Sequence, residues 1–430
     1  MFERGFVGGD LYLEGAFKTM NLYTDQGKIA AISGERLPCR ETVDCRGLKV
    51  LPGFIDPHVH FALNLGEFTS ADDFESGSIS GAFGGVTTFI DFLDPVLEAE
   101  AFHEKLAQRK LFAQASRVDY SFHTTLGHFS GDVQPLINAS LAAGLTSVKV
   151  FTTYSESRRD CPKPVIEALL RSPLTVLSHT EKDDLVDPDW LETATYEASR
   201  PVKSETLEAL ALADLVEKTG GSLYMVHTSA GSTVKALEEH YGHLLGRQFF
   251  LETCPQYLHL NRDCFKGKEG PLYLLAPPLR SPGEQALLKD RFSSIYSIGT
   301  DHCPFMRAEK LRYPEASKVP KGIGGIEYSF LLLYELFGDE VIDRFTSHPA
   351  TLFHLKHKGA LRVGMDADLN LLDPQGTTLA GRGHSKSDYS PYEGKNLKGR
   401  IRATYLRGEP LVIGDRLYPS QGNFLRRRLD

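Results

Sequence analysis

Apolar and polar positions along the chain follow two different rhythms. Over the first fifty residues, short half-alternating runs such as "GFVGGDLYLEG", "MNLYTDQGKIAAISG" and "ETVDCRGLKVL" read as strands joined by turns. The far end reads the same way in "GMDADLNLLDP" and "RIRATYLRGEPLV". Between them, β-branched and nearly continuous apolar runs recur: "GVTTFIDFL", "RVDYSFHTTL", "TSVKVFTTY", "PLTVLSHT", "SLYMVHTSA", "QFFLETCPQYL" and "SSIYSIGTDHCPF". Helix-like stretches such as "PLINASLAAG" and "KSETLEALALADLVEKTG" separate many of them. Strand and helix alternating over about 300 residues predict a parallel sheet, and at this length a (β/α)8 TIM-type barrel. No G-x-G-x-x-G opens a helix after the first strand, which weighs against a doubly wound sheet. The expected organisation is a composite small β domain, residues 1–50 and 365–430, around a barrel of residues 51–364.

Composition narrows the function classes. The 430 residues are 41% hydrophobic and 24% charged, as in an ordinary soluble globular protein. The formal net charge is −8, and the one basic cluster, in "FLRRRLD", reads as a solvated tail, so no nucleic-acid partner is expected. No apolar run approaches a membrane span, and "MFERGFVGGD" lacks a signal-peptide pattern. Six scattered cysteines make no disulfide framework and fit a reducing cytoplasm.

The candidate chemistry sits at or near the ends of the strand-like runs, the face where barrels build active sites. In "GFIDPHVHF", His58 and His60 lie two apart and project to the same side of a strand, with Asp56 placed to orient an imidazole. His179 ends "VLSH", His227 ends "YMVH", and Asp301 follows "SIGT". Each alone has a structural explanation, and Asp301 would serve as a helix cap. Together they offer nitrogen and oxygen ligands suited to zinc or a similar divalent ion. Lys149 lies inside an apolar run, where a bare ammonium is costly. It either snorkels to the surface or has reacted with carbon dioxide, giving a carbamate able to bridge two metal ions about 3.5–4 Å apart.

The segments "DPHVH", "SVKVFTTY", "LSHTE", "MVHTSAG", "ETCPQYL", "APPLR" and "GTDHCPF" stand in the order typical of the amidohydrolase superfamily. The chain most resembles its cyclic-amidase branch, the hydantoinases and dihydropyrimidinases, with dihydroorotases and allantoinases nearby. The resemblance runs from about residue 45 almost to the end and includes "HPATLFHL" and "YSPYEGKNLKGRIRATYLRGEPL". It implies a cytoplasmic homo-oligomer (dimer or tetramer) that hydrolyses the carbon–nitrogen bond of a small cyclic ureide with two divalent ions, zinc being the expected metal. By the same resemblance His58 and His60 bind one ion and His179 and His227 the other. Carbamylated Lys149 bridges them, a hydroxide held between the ions attacks, and Asp301 is both ligand and general base.

Departures bear on which ring is opened. Dihydroorotases usually carry H-x-H-x-R, whose arginine grips the substrate carboxylate, and here that place is Ala62. Conversely, "TSADDFESGSISGAFGGVTTFIDF" is similar to the hydantoinase and dihydropyrimidinase segment, and Tyr154 matches the tyrosine that stabilises the tetrahedral oxyanion there. Ala276 replaces a serine common before "PPLR". Lys321, in "VPKGIGG", stands where an asparagine is usual and either pairs with a substrate carboxylate or is a solvated loop charge. Glu181 either supports a metal ligand or caps a turn, and Cys254 and Cys303 suit packing. Metal-free scaffold proteins related to dihydropyrimidinases are the non-enzymatic alternative, against which every identifiable ligand position is retained.

Overall fold

In the computed structural model, which describes residues 1–429, two sheets organise the chain. Five strands come first: β1 (Phe2–Leu13), β2 (Ala16–Asp25), β3 (Lys28–Ser33), β4 (Cys39–Asp44) and β5 (Lys49–Pro52). The barrel strands follow: β6 (Phe54–Val59), β7 (Val86–Phe92), β8 (Asp119–Thr125), β9 (Ser147–Phe151), β10 (Thr175–His179), β11 (Ser222–Met225), β12 (Phe249–Thr253) and β13 (Ser297–Ile298). They pair in chain order and every pair is parallel. A parallel bridge between Val59 and His302, with His60 N donating to His302 O at 3.0 Å, joins β13's extension to β6 and closes the ring. Every residue of β6, β7, β8, β10 and β12 is buried, which is why these strands read as continuous rather than alternating apolar runs.

The helices form where local chemistry starts and stops them. Helix Phe74–Phe83 begins at a capping box, Ser76 N donating to Asp73 Oδ1 at 2.9 Å and Asp73 N to Ser76 Oγ at 3.1 Å. The two stretches read as helical from sequence are Gln134–Ala143 and Val202–Thr219, ended by Gly144 and Gly220 at φ 82° and 72°. Inside the barrel, Phe353 packs against the rings of His123 and Tyr224 at 5.0 and 5.1 Å.

The second sheet unites distant parts of the chain. Strands β14 (Leu369–Leu379), β15 (Asn396–Leu406), β16 (Glu409–Ile413) and β17 (Arg416–Leu417) continue it in the order β17-β16-β15-β14-β5-β1-β2-β3, with β4 on β1. The seam is β5, antiparallel to β14 and parallel to β1.

One expectation fails at the far end. Arg426 and Arg428 are exposed, but Arg427 is buried to 1% exposure rather than solvated. Tyr120 N donates to Asn423 O and Leu425 N to Tyr120 O, so the tail lies along β8. This carries the Arg427 guanidinium onto Ser121 Oγ (3.0 Å), Ser147 Oγ (2.9 Å) and Phe122 O. Oxygen acceptors on β8 and β9 replace water here, while burial lowers the Arg427 pKa to about 9.

Lys358 performs a similar role between the sheets. Its ammonium lies 2.6 Å from Asp119 on β8, 2.6 Å from Asp368 and 3.0 Å from Asp366. These three carboxylates are close enough to suggest a metal site, and the lysine already supplies the positive charge. In Lys358→Met the buried Asp368 would lose its side-chain cation, while Asp119 keeps Arg407 and Asp366 keeps Lys28. Guanidinium unfolding should show a loss of about 3–5 kcal/mol, shrinking as acid protonates the carboxylates; a loss below about 1 kcal/mol would show the cluster to be dispensable.

Candidate active site

At the carboxyl end of the barrel strands, the two-residue spacing of His58 and His60 does what strand geometry requires. Both imidazoles face Asp301, with His58 Nε2 3.3 Å and His60 Nε2 3.2 Å from Asp301 Oδ1. The ligating atoms of these three residues all lie within 4.8 Å of one another. His58 Nε2 is buried and makes no hydrogen bond, an uncommon condition for a polar atom in a folded interior. Burial pushes the Asp301 carboxyl up, but the facing His58 and His60 outweigh it and hold its pKa below the usual value.

Behind His58 stands a carboxylate that motif reading missed. Glu252 Oε1 lies 2.7 Å from His58 Nδ1 and accepts from His227 N at 2.8 Å, while Oε2 accepts from the Tyr224 hydroxyl at 2.7 Å. Burial raises the Glu252 pKa to about 8. The available signal was a lone acid in the apolar run "FFLETC". Asp56, expected at the imidazole, instead turns back onto the backbone. It accepts from His58 N (3.1 Å), Thr300 N (3.1 Å) and Thr300 Oγ1 (2.5 Å), pinning β6 to the chain after β13.

The remaining candidates surround this group. The ring of His227 lies 5.5 Å from that of His58 and 4.6 Å from that of His179. His179 Nε2 is 2.6 Å from Glu181 Oε2, which leaves Nδ1 as its open nitrogen. Glu181 therefore supports the imidazole rather than capping a turn, and Arg200 holds it in turn through Nε (3.1 Å) and Nη2 (2.8 Å). Burial depresses the pKa of His58, His179 and His227, favouring the neutral imidazoles that bind metals. Lys149 does not snorkel: it is 2% exposed, its ammonium 5.5 and 5.4 Å from the ring centres of Phe92 and Phe151, and burial lowers its pKa to about 7.

His58, His60, Lys149, His179, His227 and Asp301 line a cavity of about 720 Å³. Tyr154 stands at its wall, 5.0 Å ring to ring from His179, with the Arg200 guanidinium 4.7 Å from its ring centre. Burial raises its phenol pKa to about 12. Lys321 also lines the cavity, but its Nζ donates to Ala316 O (2.6 Å) and Val319 O (2.5 Å) of its own loop. Cys254 and Cys303 are buried, as expected of packing residues.

Four imidazoles, an aspartate and a buried amine make a donor set that fits divalent metal ions, and the orphaned His58 nitrogen is the atom that a metal would satisfy. Barrel and cluster together define an amidohydrolase. No family model matches the chain. D-phenylhydantoinase of Escherichia coli O1:K1 / APEC is 32% identical over 422 residues, covering 91% of this chain and 90% of that one. Among solved structures, the D-hydantoinase (dihydropyrimidinase) from Thermus sp. superposes with a TM-score of 0.91 at 27% identity over 99% of both chains. The L-hydantoinase (dihydropyrimidinase) from Arthrobacter aurescens gives 0.87 at 25% identity, covering 99% of this chain and 100% of that one. The chain belongs to the hydantoinase and dihydropyrimidinase family and is a hydrolase of cyclic amides.

The role of Glu252 is open to direct measurement. Glu252→Gln keeps the shape but leaves one acceptor oxygen where the two carboxyl oxygens now hold His58, the His227 amide and the Tyr224 hydroxyl. Competition with a chelator should show metal binding weakened by about 10–100-fold in a folded protein. Unchanged affinity would show that His58 needs no such partner.

Proposed function

We propose that this chain opens five- or six-membered cyclic ureides, hydantoins or dihydropyrimidines, using two divalent ions, zinc by the donor set. The observation that carries this is the buried, unbonded Nε2 of His58 facing Asp301 among His60, Lys149, His179 and His227. His58 and His60 would hold one ion, and His179 Nδ1 and His227 the other, with Asp301 as a further ligand. A Lys149 pKa near 7 leaves neutral amine available, and that amine can add to carbon dioxide with loss of a proton. The resulting carbamate would offer the ions an anionic ligand. When bound, the ions would polarise the ring carbonyl and acidify a water molecule.

The chain's own residues complete the reaction. Asp301, kept ionised by its histidines, takes the proton lost by the attacking water and delivers it to the ring nitrogen as the carbon–nitrogen bond breaks. Tyr154, with a phenol pKa near 12, remains protonated at neutral pH and donates a hydrogen bond to the carbonyl oxygen as negative charge gathers there. Lys321 serves as a wall support, because loop carbonyls already engage its ammonium. With Ala62 in place of an arginine, neither position offers the grip that a dihydroorotase needs. The six free cysteines fit a reducing cytoplasm, and among the described residues no helix is long and apolar enough to cross a membrane.

Metal analysis and a hydrolysis screen over hydantoin, dihydrouracil, dihydroorotate and allantoin test this reading. Hydantoin or dihydrouracil should exceed dihydroorotate in kcat/KM by about one to two decades, the cost of a missing charged hydrogen-bond partner. A metal-poor, silent protein would support the scaffold alternative, and a clear preference for dihydroorotate would overturn the branch assignment. Asp301→Asn should lose at least about 10²-fold in kcat while the protein stays folded; turnover within a few-fold of the parent would remove Asp301 as the base.

A further inference from the structure

Outside the histidine cluster the cavity wall carries four cationic side chains besides Lys149, and three are already engaged. Arg109 binds Asp91 Oδ1 (2.7 Å) and Phe61 O (2.6 Å), Lys318 pairs with Glu315 (3.1 Å), and Lys321 is held by its loop carbonyls. The fourth is Arg159. It is half-buried, and its guanidinium makes no hydrogen bond or ion pair among the described residues.

The loop that presents Arg159 is the one that presents Tyr154. Tyr154 and Arg158 both sit in the left-handed region, at φ 74° and 54°, folding the chain back on itself. Tyr154 O accepts from Ser157 N at 3.2 Å and from Arg159 N at 3.1 Å, and Cys161 N returns to Phe151 O at 2.8 Å. His128 N fixes Arg158 O from outside at 3.0 Å. Arg159 is therefore held beside the tyrosine on a tightly bonded loop. Leu63, Leu65, Phe68 and Leu93 supply apolar wall to the same cavity. A half-desolvated guanidinium without a counter-charge favours an arriving anion, because charge-assisted bonds to carboxylates are the strong ones and the fork of donors suits two oxygens.

We infer that Arg159 is a specificity residue that receives a carboxylate carried on the substituent of the ring, so that the enzyme prefers cyclic amides with an acidic side chain. The apolar wall takes the alkyl link, and the carboxylate oxygens accept from the guanidinium. This rests on the ring-opening activity proposed above and adds a class of substituent to it. Glu156 and Asp94 also line the cavity, so the opposite preference, for an ammonium substituent, is the competing outcome.

Three hydantoins separate the possibilities, bearing 2-carboxyethyl, 2-carbamoylethyl or 3-aminopropyl at C5. The first two match in size and differ in charge. On metal-loaded protein the carboxylate substrate should exceed the carboxamide by about tenfold or more in kcat/KM, chiefly through KM, and the advantage should fall with added salt. Arg159→Met should bring the ratio close to one, and Arg159→Lys should retain part of it. A ratio near one in the parent, a clear preference for the aminopropyl substrate, or an advantage that survives in Arg159→Met would each overturn the inference. Opening of the carboxamide ring reports separately on the underlying reading. If it opens without a carboxylate advantage, only this inference falls; if no ring opens, the proposed activity fails and the inference with it.

Discussion

The site depends on one buried carboxylate. Glu252, on β12, reaches His58 on β6, the backbone of His227 just past β11, and Tyr224 within β11, and Tyr224 extends the chain of bonds to Ser297 on β13 at 2.6 Å. Four of the eight strands are therefore registered against one another at the level where the imidazoles emerge. The arrangement also explains Gly299, where a side-chain carbon would collide with both Glu252 and His58. Burying a carboxylate without partners costs several kcal/mol, so the three donors must be present together for the barrel mouth to close in this form.

Backbone strain is concentrated on the same face. His227, Asp301 and Tyr154 adopt φ values of 40°, 51° and 74°, a region that residues with side chains seldom occupy. Each is held by bonds from its surroundings: His227 N by Glu252, Asp301 N by His58 O at 2.9 Å, and the Tyr154 carbonyl by two amides of its loop. The scaffold thus gives up some local comfort to set three groups along one cavity.

Much of this was legible in sequence, for a definable reason. Parallel strands covered on both faces leave long apolar runs, and functional side chains at their ends break those runs at regular places, so His58, His60, His179, His227 and Asp301 stood out together. What escaped lacked that signature. Glu252 sits inside a strand with no spacing relation to another ligand, and only the cost of its burial marks it. Asp56 was assigned to the wrong partner because strand alternation tells which side a residue faces, not that a short side chain will hold the His58 amide and reach across to Thr300. Arg427 looked solvated because its acceptors, two serine hydroxyls and a carbonyl, lie some three hundred residues away. The cost of burying it is met by geometry that composition does not record.

The β5–β14 seam sets an order of events for the chain. The Asn370 side-chain amide donates to Pro52 O across 318 residues of sequence, beside rungs that run from Leu369–Pro52 to Leu372–Lys49, and every one of those rungs closes a loop containing the barrel. Closing a loop of this length in a disordered chain is entropically uphill, and few contacts repay it until many form at once. Apart from the Val59–His302 bridge that closes the ring, the barrel's successive βα units have no such obstacle, since each strand pairs with its neighbour in sequence. Loop-closure entropy therefore favours the barrel's neighbouring pairs forming before the seam. Contacts made that late leave the folding rate largely untouched and instead govern how slowly the finished molecule comes apart.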